Sequence, residues 1–179
     1  MRRFLARQPI FNSARVVYGY ELLFRSGPEN PYDGTAPDLA SASTVDSILL
    51  FGMGRLTPGC RSFLNCTRDF LLCDFATMLP TDRVVLEILE TVAMDDKLRD
   101  ACRRLKQAGY LLALDDFDDR PDWKPLIAMA DFIKVDLLVT PPADQLRLAP
   151  TYLPMNIGRL AEKMETYDDF HRTRGWGYT

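Results

Sequence analysis

Short apolar runs and amphipathic stretches follow one another along the chain. The first two runs, RFLARQPIF and VVYGYELLFR, flank the turn-like NSAR and predict a pair of β-strands. The next stretch, SGPENPYDGTAPD, is rich in proline, glycine and acidic residues and predicts a loop. From about Ala40, ASASTVDSILLFGMGRL has helical spacing, with serine and threonine near its start as N-cap residues.

After this helix, strand-like and helix-like patterns alternate. The strand-like segments are apolar and end in polar residues: CRSFLN, VVLEILE, YLLALDD, DFIKVD and IGRLAEKME. The segments between and after them have helical patterns: RDFLLCDFATML, MDDKLRDACRRLKQAG, PDWKPLIAMA, PADQLRLAPTYL and YDDFHRTRG. We expect Gly109 to end the second of these helices, and Pro150 and Pro154 to break the fourth.

Repeated strand-then-helix units predict an α/β fold in which parallel strands are joined by right-handed crossovers. Each strand ends at a polar or charged side chain, so these side chains would gather at one rim. A (β/α) barrel builds its active site at that rim. An open doubly wound sheet is the alternative, but such sheets usually carry a glycine-rich phosphate loop after the first strand, and the sequence has none. We therefore expect a TIM-like barrel.

The composition limits the class of protein. With 179 residues, 47% of them hydrophobic, the chain can form one good core, and we expect a single domain over residues 1–179. The net charge of −3 argues against a nucleic-acid duplex as partner. Four cysteines without a C-x-x-C pair argue against structural zinc and favour a reducing, cytoplasmic location. No segment approaches the ~18 apolar residues that a membrane span needs.

The residues at the predicted rim are mostly acidic. Like charges at short range raise one another's pKa values or require counter-ions. Carboxylate and amide oxygens suit Mg²⁺, Mn²⁺ or Ca²⁺, and two such ions are a standard device for phosphodiester hydrolysis. Adjacent acids after a strand are also common at helix N-termini, so a purely structural explanation stays open. The rim candidates are Glu21, Arg25, Asn65, Glu87, Glu90, Asp115, Asp116, Lys134, Glu162 and Glu165.

Six short motifs resemble those of a known family. In chain order they are YELLFR as E-x-L-x-R, LNCT with its asparagine, LEILE as E-x-x-E, LALDDF, IKVD as K-x-D, and LAEKMET as A-E-x-x-E-T. The chain resembles an EAL domain, the family that hydrolyses the bacterial second messenger cyclic di-GMP. Leu22 stands where the family has its name-giving alanine. The resemblance implies a TIM-like barrel of EAL type and cyclic di-GMP as ligand.

The resemblance also implies roles for individual residues. Lys134, Glu162 and Glu165 would be the catalytic residues. The first two would lie beside the metal-bound water, and Glu165 would complete the acidic wall. Arg25 would face a ligand phosphate, and Glu21 would be the second ligand-binding residue. Glu90 would anchor the loop that follows the aspartate pair. The implied ligands of Mg²⁺ or Mn²⁺, with Ca²⁺ as a further candidate, are Glu21, Asn65, Glu87, Asp115 and Asp116.

Three segments resemble one subgroup of the family, in which an EAL-like domain precedes an HDOD domain. They are FLARQPIF…VYGYELLFR, ADFIKVD and LAEKMET. An HDOD domain or another signalling protein is therefore the expected partner, and a homodimer is a further expectation. These 179 residues contain no HDOD domain, and they end at GWGYT, before the Gln-Gly-Tyr of the family's last strand. We expect a barrel that is incomplete at its C-terminal strand.

The sequence departs from the family directly after DDF. The family has glycine and then threonine or serine, whereas this chain has Asp118, Asp119, Arg120 and Pro121. A residue other than glycine disfavours the same backbone turn. We therefore expect a signalling domain with impaired or absent catalysis that acts by sensing the ligand or by binding another protein. The alternative is an active metal-dependent phosphodiesterase that converts cyclic di-GMP to the linear dinucleotide.

Overall fold

A single curled sheet forms the centre of the computed structural model, which describes residues 4–25 and 37–178. The strands lie side by side in chain order: β1 (Phe4–Phe11), β2 (Val17–Arg25), β3 (Arg61–Cys66), β4 (Val84–Ile88), β5 (Leu111–Leu114), β6 (Phe132–Asp136) and β7 (Gly158–Glu162). β1 is antiparallel to β2, and each later pair is parallel. Among the described residues β7 pairs only with β6, so the sheet is an incomplete barrel, as expected.

Helices and 3-10 turns connect the strands. The helices are α1 (Pro37–Phe51), α2 (Met53–Leu56), α3 (Arg68–Leu72), α4 (Asp96–Gln107), α5 (Lys124–Ile127), α6 (Pro142–Tyr152) and α7 (Tyr167–Trp176). The 3-10 turns are Asp74–Met78, Pro121–Trp123 and Leu153–Met155. The predicted loop SGPENPYDGTAPD falls mainly on residues 26–36, which lie outside the described residues.

Three helical predictions need correction. The helix expected from Ala40 divides where Gly52 adopts a φ of 77°, and RDFLLCDFATML divides at Cys73, whose backbone is extended. The prediction that Pro150 breaks its helix is wrong, because α6 continues to Tyr152. A proline in the last turn removes only one helical hydrogen bond, and the buried Tyr152 holds this end on the core.

Helix α4 shows why the predicted start and stop signals worked. The Asp95 carboxylate accepts a hydrogen bond from the Leu98 N–H at 2.9 Å, which caps the N-terminus. At the other end Gly109 adopts a φ of 98°, and the Tyr110 N–H bonds the Leu105 carbonyl. This left-handed residue ends the helix as expected, since glycine adopts the conformation without a Cβ clash.

The two faces of the sheet pack differently. One face meets the helices and forms the large core, which includes Leu64, Leu86 and Leu112. The concave face carries a small second cluster of Phe63, Val85, Ala113 and Leu160. Because successive side chains of a strand point to opposite faces, neighbouring residues of one strand contribute to different clusters.

Glycines make room for aromatic rings on the concave face. A Cβ on Gly158 would lie 2.5 Å from Cδ1 of Phe132, and one on Gly19 would lie 2.8 Å from Cε2 of Phe63. These two rings and Tyr18 contact one another with centroid separations of 5.7–6.2 Å. The rings therefore fill the floor beneath the residues at the strand ends.

Among the described residues, no helix combines the length and apolar character that crossing a bilayer requires.

Candidate functional site

The polar rim residues continue the concave face of the sheet. Two residues beyond Phe63 lies Asn65, and two beyond Val85 lies Glu87. The period of two in a strand therefore places each polar residue on the same face as its apolar predecessor. The same spacing relates Ala113 to Asp115, Phe132 to Lys134 and Leu160 to Glu162. The pairing of β3 with β4 also brings two of these residues side by side, because Asn65 lies directly opposite Glu87.

The Lys134 ammonium lies at the centre of these carboxylates. Its Nζ is 2.7 Å from an oxygen of Glu87, 2.7 Å from one of Asp115 and 2.8 Å from one of Glu162. A fourth carboxylate, that of Glu21, lies 3.6 Å away. The lysine side chain is 2% exposed, so the cation is enclosed by its partners. One positive charge thus faces four carboxylates.

Several oxygens of this cluster have no hydrogen-bond partner among the residues that the structure describes. The Asn65 amide donates from Nδ2 to Glu21 at 2.9 Å, which leaves its Oδ1 without a donor. Within the described part of the chain, Oε2 of the fully buried Glu87 has no partner either, whereas its Oε1 forms the 2.7 Å ion pair with Lys134. Unsatisfied buried oxygens are costly, so these atoms are candidates for binding a cation.

The pKa values of the cluster reflect burial first and neighbouring charges second. Burial raises the pKa of Glu87 well above its usual value; the Lys134 ammonium opposes this effect, and the carboxylates of Glu21 and Asp115 raise the pKa further. Burial likewise raises the pKa of Glu162 to about 7. Burial lowers the pKa of Lys134, but the four carboxylates outweigh it, so this pKa lies well above its usual value. Added positive charge would stabilise the cluster.

Comparisons with known proteins support the sequence resemblance. No family model matches the chain. It is 37% identical over 176 residues to the uncharacterized protein YuxH of Bacillus subtilis, and 35% identical over 184 residues to the cyclic di-GMP phosphodiesterase CdgJ of Vibrio cholerae. These alignments cover 95% and 98% of this chain. The chain spans only 43% and 42% of the two relatives' lengths.

Solved structures share the fold. The chain aligns over 97% of its length with 51% of Bacillus subtilis YkuI, a protein with an EAL domain in complex with cyclic di-GMP and calcium, at a TM-score of 0.76 and 19% identity. It aligns over 98% of its length with 83% of an EAL domain protein from Listeria monocytogenes, at a TM-score of 0.75 and 16% identity. The chain has the fold of an EAL domain. Its curled, incomplete barrel fits the barrels of these neighbours.

The EAL-like domain brings most of the predicted metal ligands together. Asp115, Asp116 and Glu162 each offer one carboxylate oxygen, and these atoms lie within 4.8 Å of one another. The Oδ1 of Asn65 and the Oε2 of Glu87 supply the unpartnered oxygens. This donor set is made of carboxylates and an amide, which is the chemistry that Mg²⁺, Mn²⁺ and Ca²⁺ prefer. The residues therefore fit a divalent metal.

Three predicted site residues lie farther out. Glu165 follows β7 in an exposed loop, because that strand ends at Glu162. Glu90 lies in the turn beyond β4, where its backbone carbonyl accepts from Arg120. Arg25 is the last residue of β2. The expected roles of these residues stay predictions: Glu165 in the acidic wall, Glu90 as the loop anchor and Arg25 in contact with a phosphate.

A cavity of about 480 Å³ lies beside the cluster. Its walls include Glu21, Lys134, Glu162 and Glu165, so the exposed Glu165 borders the same space as the partly buried Glu21 and Glu162. Basic and aromatic side chains complete the lining: Arg15, Lys163, Arg174, Phe11 and Tyr167. The cavity therefore joins negative, positive and aromatic surfaces.

Two charged residues were missed as site candidates. Asp136 is 2% exposed and forms an ion pair with Lys163, and it lies opposite Glu162 in the β6–β7 register. The ammonium of Lys163 also lowers the pKa of Asp136, although burial acts in the opposite direction. The signal was present in the sequence, since Asp136 follows Lys134 by two residues and therefore shares its face.

Proposed function

We propose that this EAL-like domain binds cyclic di-GMP and hydrolyses it with divalent cations. The supporting observation is the convergence of carboxylates from four different strands or strand ends on Lys134. A structural ion pair needs one carboxylate per ammonium, whereas this cluster has four. Four carboxylates around a single ammonium are costly unless further positive charge is present, and this arrangement suits a site that binds metal cations.

The oxygens of Glu21, Asn65, Glu87, Asp115 and Asp116 would hold the cations. When bound, these ions would activate water and stabilise charge on the scissile phosphate. The Lys134 ammonium, fixed by its carboxylate partners, would face developing negative charge without reorganisation. The carboxylate of Glu162 would accept a proton near neutral pH, because its pKa is about 7.

The lining of the cavity supports a cyclic dinucleotide as ligand. Cavities of about 300–1,000 Å³ are typical for small molecules, and this one lies within that range at about 480 Å³. The guanidinium groups of Arg15 and Arg174 suit phosphates. The half-exposed ring of Phe11 and the exposed ring of Tyr167 offer stacking surfaces for bases.

A second candidate is ligand sensing with little turnover. The observation in its favour is the segment from Asp118 to Pro121, which replaces the glycine and hydroxyl residue that the EAL resemblance leads one to expect. Such a domain would keep the metal-binding cluster and the cavity but lose the coupling of that loop to catalysis.

Calorimetric titration with cyclic di-GMP, with and without Mn²⁺, tests both candidates when combined with analysis of the products. Formation of the linear dinucleotide that disappears in Asp115→Ala supports hydrolysis. The matched control is Asp122→Ala, an exposed acid in the 3-10 turn Pro121–Trp123, and it should retain turnover. Saturable binding without product supports sensing. The absence of binding at high micromolar ligand contradicts both candidates.

The wider assignment also belongs to this proposal. We place the domain in a bacterial cyclic di-GMP signalling protein of the cytoplasm. An HDOD domain or another signalling protein is its proposed partner, and a homodimer is its proposed assembly. Support comes from the curated relatives, which are more than twice as long as the matched segment.

A further inference from the structure

The loop after β5 carries two of the candidate metal ligands outside regular structure. β5 ends at Leu114, so Asp115 and Asp116 follow the strand instead of belonging to it. Asp116 has a φ of 41°, in the left-handed region that non-glycine residues rarely adopt. A carboxylate on such a backbone keeps its place only if neighbouring contacts hold the loop.

Asp119 connects this loop to helix α6. It is also left-handed, with a φ of 62°, a conformation that aspartate tolerates better than most residues. Its Oδ2 accepts from the Arg147 guanidinium at 2.7 Å, and its Oδ1 accepts from the Tyr152 hydroxyl. Both partners lie on α6, one and a half turns apart, so each oxygen of the carboxylate has its own donor.

Phe117 links Tyr152 of α6 to the candidate metal ligands Asp115 and Asp116. Its ring meets Tyr152 edge-on at a centroid distance of 5.3 Å and is almost fully buried. The Phe117 N–H donates to the Lys134 carbonyl at 2.8 Å, and the Asp115 N–H donates to the Ile88 carbonyl at 3.0 Å. The ligand Asp116 therefore lies between two residues whose backbones are bonded to β4 and β6.

A second set of contacts holds the far end of the loop. The Trp123 indole is fully buried and donates to the Asp118 carboxylate at 3.0 Å. The Arg120 guanidinium lies 5.2 Å from the Trp123 ring centroid and donates to the Glu90 carbonyl. Asp118, Asp119 and Arg120 are the residues that replace the expected glycine turn, and each has at least one partner outside its own turn.

We propose that Asp119, bound by Tyr152 and Arg147 of α6, is a positioning residue that holds the loop so that Asp115 and Asp116 can bind the divalent cation. This inference rests on the proposed function, because the cation is part of it. In place of a flexible glycine turn, this loop has Asp119 bound to α6, with Asp118 bound to Trp123 and Arg120 bound to the Glu90 carbonyl. The loop departs from the family pattern in sequence but remains fixed in structure.

Tyr152→Phe tests this inference with the smallest change, since it removes one hydroxyl and keeps the ring against Phe117. Asp119→Ala removes both hydrogen bonds. Asp144→Asn is the matched control, because Asp144 is the other partner of Arg147, at 3.3 Å, and its loss removes a charge without touching the loop. Two quantities are measured for each variant: the Mn²⁺ dissociation constant by calorimetry, and backbone hydrogen exchange at Asp115 and Phe117.

We expect Tyr152→Phe to weaken Mn²⁺ binding by up to about tenfold, the lower end of the effect of losing a direct partner of a metal ligand, because Asp119 acts on Asp115 and Asp116 through the loop. Asp119→Ala should weaken binding more than Tyr152→Phe does. Exchange at both amides should quicken, and Asp144→Asn should behave as the wild type. Wild-type affinity in both variants would overturn the inference, as would an equal loss in the control. If the wild-type chain binds no Mn²⁺, the proposed function fails, and the exchange rates alone decide whether Asp119 holds the loop.

Discussion

Replacing Lys134 by methionine removes the ammonium from the carboxylate cluster while keeping most of the side-chain volume. The ammonium has oxygens of three carboxylates within 2.8 Å and a fourth at 3.6 Å, and Glu87 beside it is fully buried. Breaking a buried pair from one side costs about 3–5 kcal/mol, because the remaining charge has no counter-ion. For a domain of this size that corresponds to a melting temperature lower by roughly 10 °C.

The cost should depend on pH. Glu87 and Glu162 have pKa values above their usual range in the folded chain, so the folded state binds more protons than the unfolded state between about pH 4.5 and 7. Stability therefore falls as pH rises through that window. Loss of Lys134 raises both pKa values further and extends the window upward. The difference in stability between wild type and variant should be small at pH 5 and largest at pH 8.

The assay is urea unfolding followed by circular dichroism at pH 5, 6.5 and 8, in EDTA. The control is Lys106→Met, because Lys106 bonds a single carboxylate, that of Asp131, at 2.7 Å, and both side chains are partly exposed. That variant should lose about 1 kcal/mol at most, with little change over this pH range. Mn²⁺ should restore part of the stability of the Lys134 variant. A loss below about 1 kcal/mol at pH 8, or one that is equal at all three pH values, would refute this account of the cluster.

Two further predictions follow from the same geometry. Mn²⁺ affinity, measured by calorimetry, should rise from pH 6 to pH 8 because Glu162, with a pKa of about 7, loses its proton over this range. Glu162→Gln should flatten this rise. An unchanged dependence of affinity on pH in the variant would contradict the role of Glu162. Gly158→Ala should lower the free energy of unfolding in urea by about 1–3 kcal/mol, since the added Cβ would lie 2.5 Å from the Phe132 ring. The control Gly175→Ala meets no atom of the described residues within 4 Å and should be neutral or stabilising. Equal stabilities of the two variants would disprove the crowding at Gly158.

Many residues of the rim could be predicted, because their positions depend on the order of the strands and on the period of two along each strand. Parallel strands in chain order carry their carboxyl ends to one side, so Asn65, Glu87 and Lys134 had to lie near one another once the strands were recognised. The period of two then fixed their face. These predictions needed no knowledge of distances.

The strand ends could not be predicted to the residue. VVLEILE and IGRLAEKME continue their apolar patterns past Ile88 and Glu162, where the strands stop. A strand ends where its neighbours stop pairing, which depends on the whole sheet and not on the local pattern. Glu90 and Glu165 were therefore expected at the rim, although they lie in a turn and in an exposed loop.

The sequence alone determined the element order, the α/β class and the set of oxygen-bearing residues at the rim, because these follow from hydrophobic period and residue chemistry. Tertiary structure decided which of those residues meet. It placed Lys134 among four carboxylates, and it gave Asp119 two partners on α6 that are 28 and 33 residues away. The absence of glycine after DDF suggested a disabled loop, but contacts between distant segments stabilise a backbone conformation that local preference disfavours.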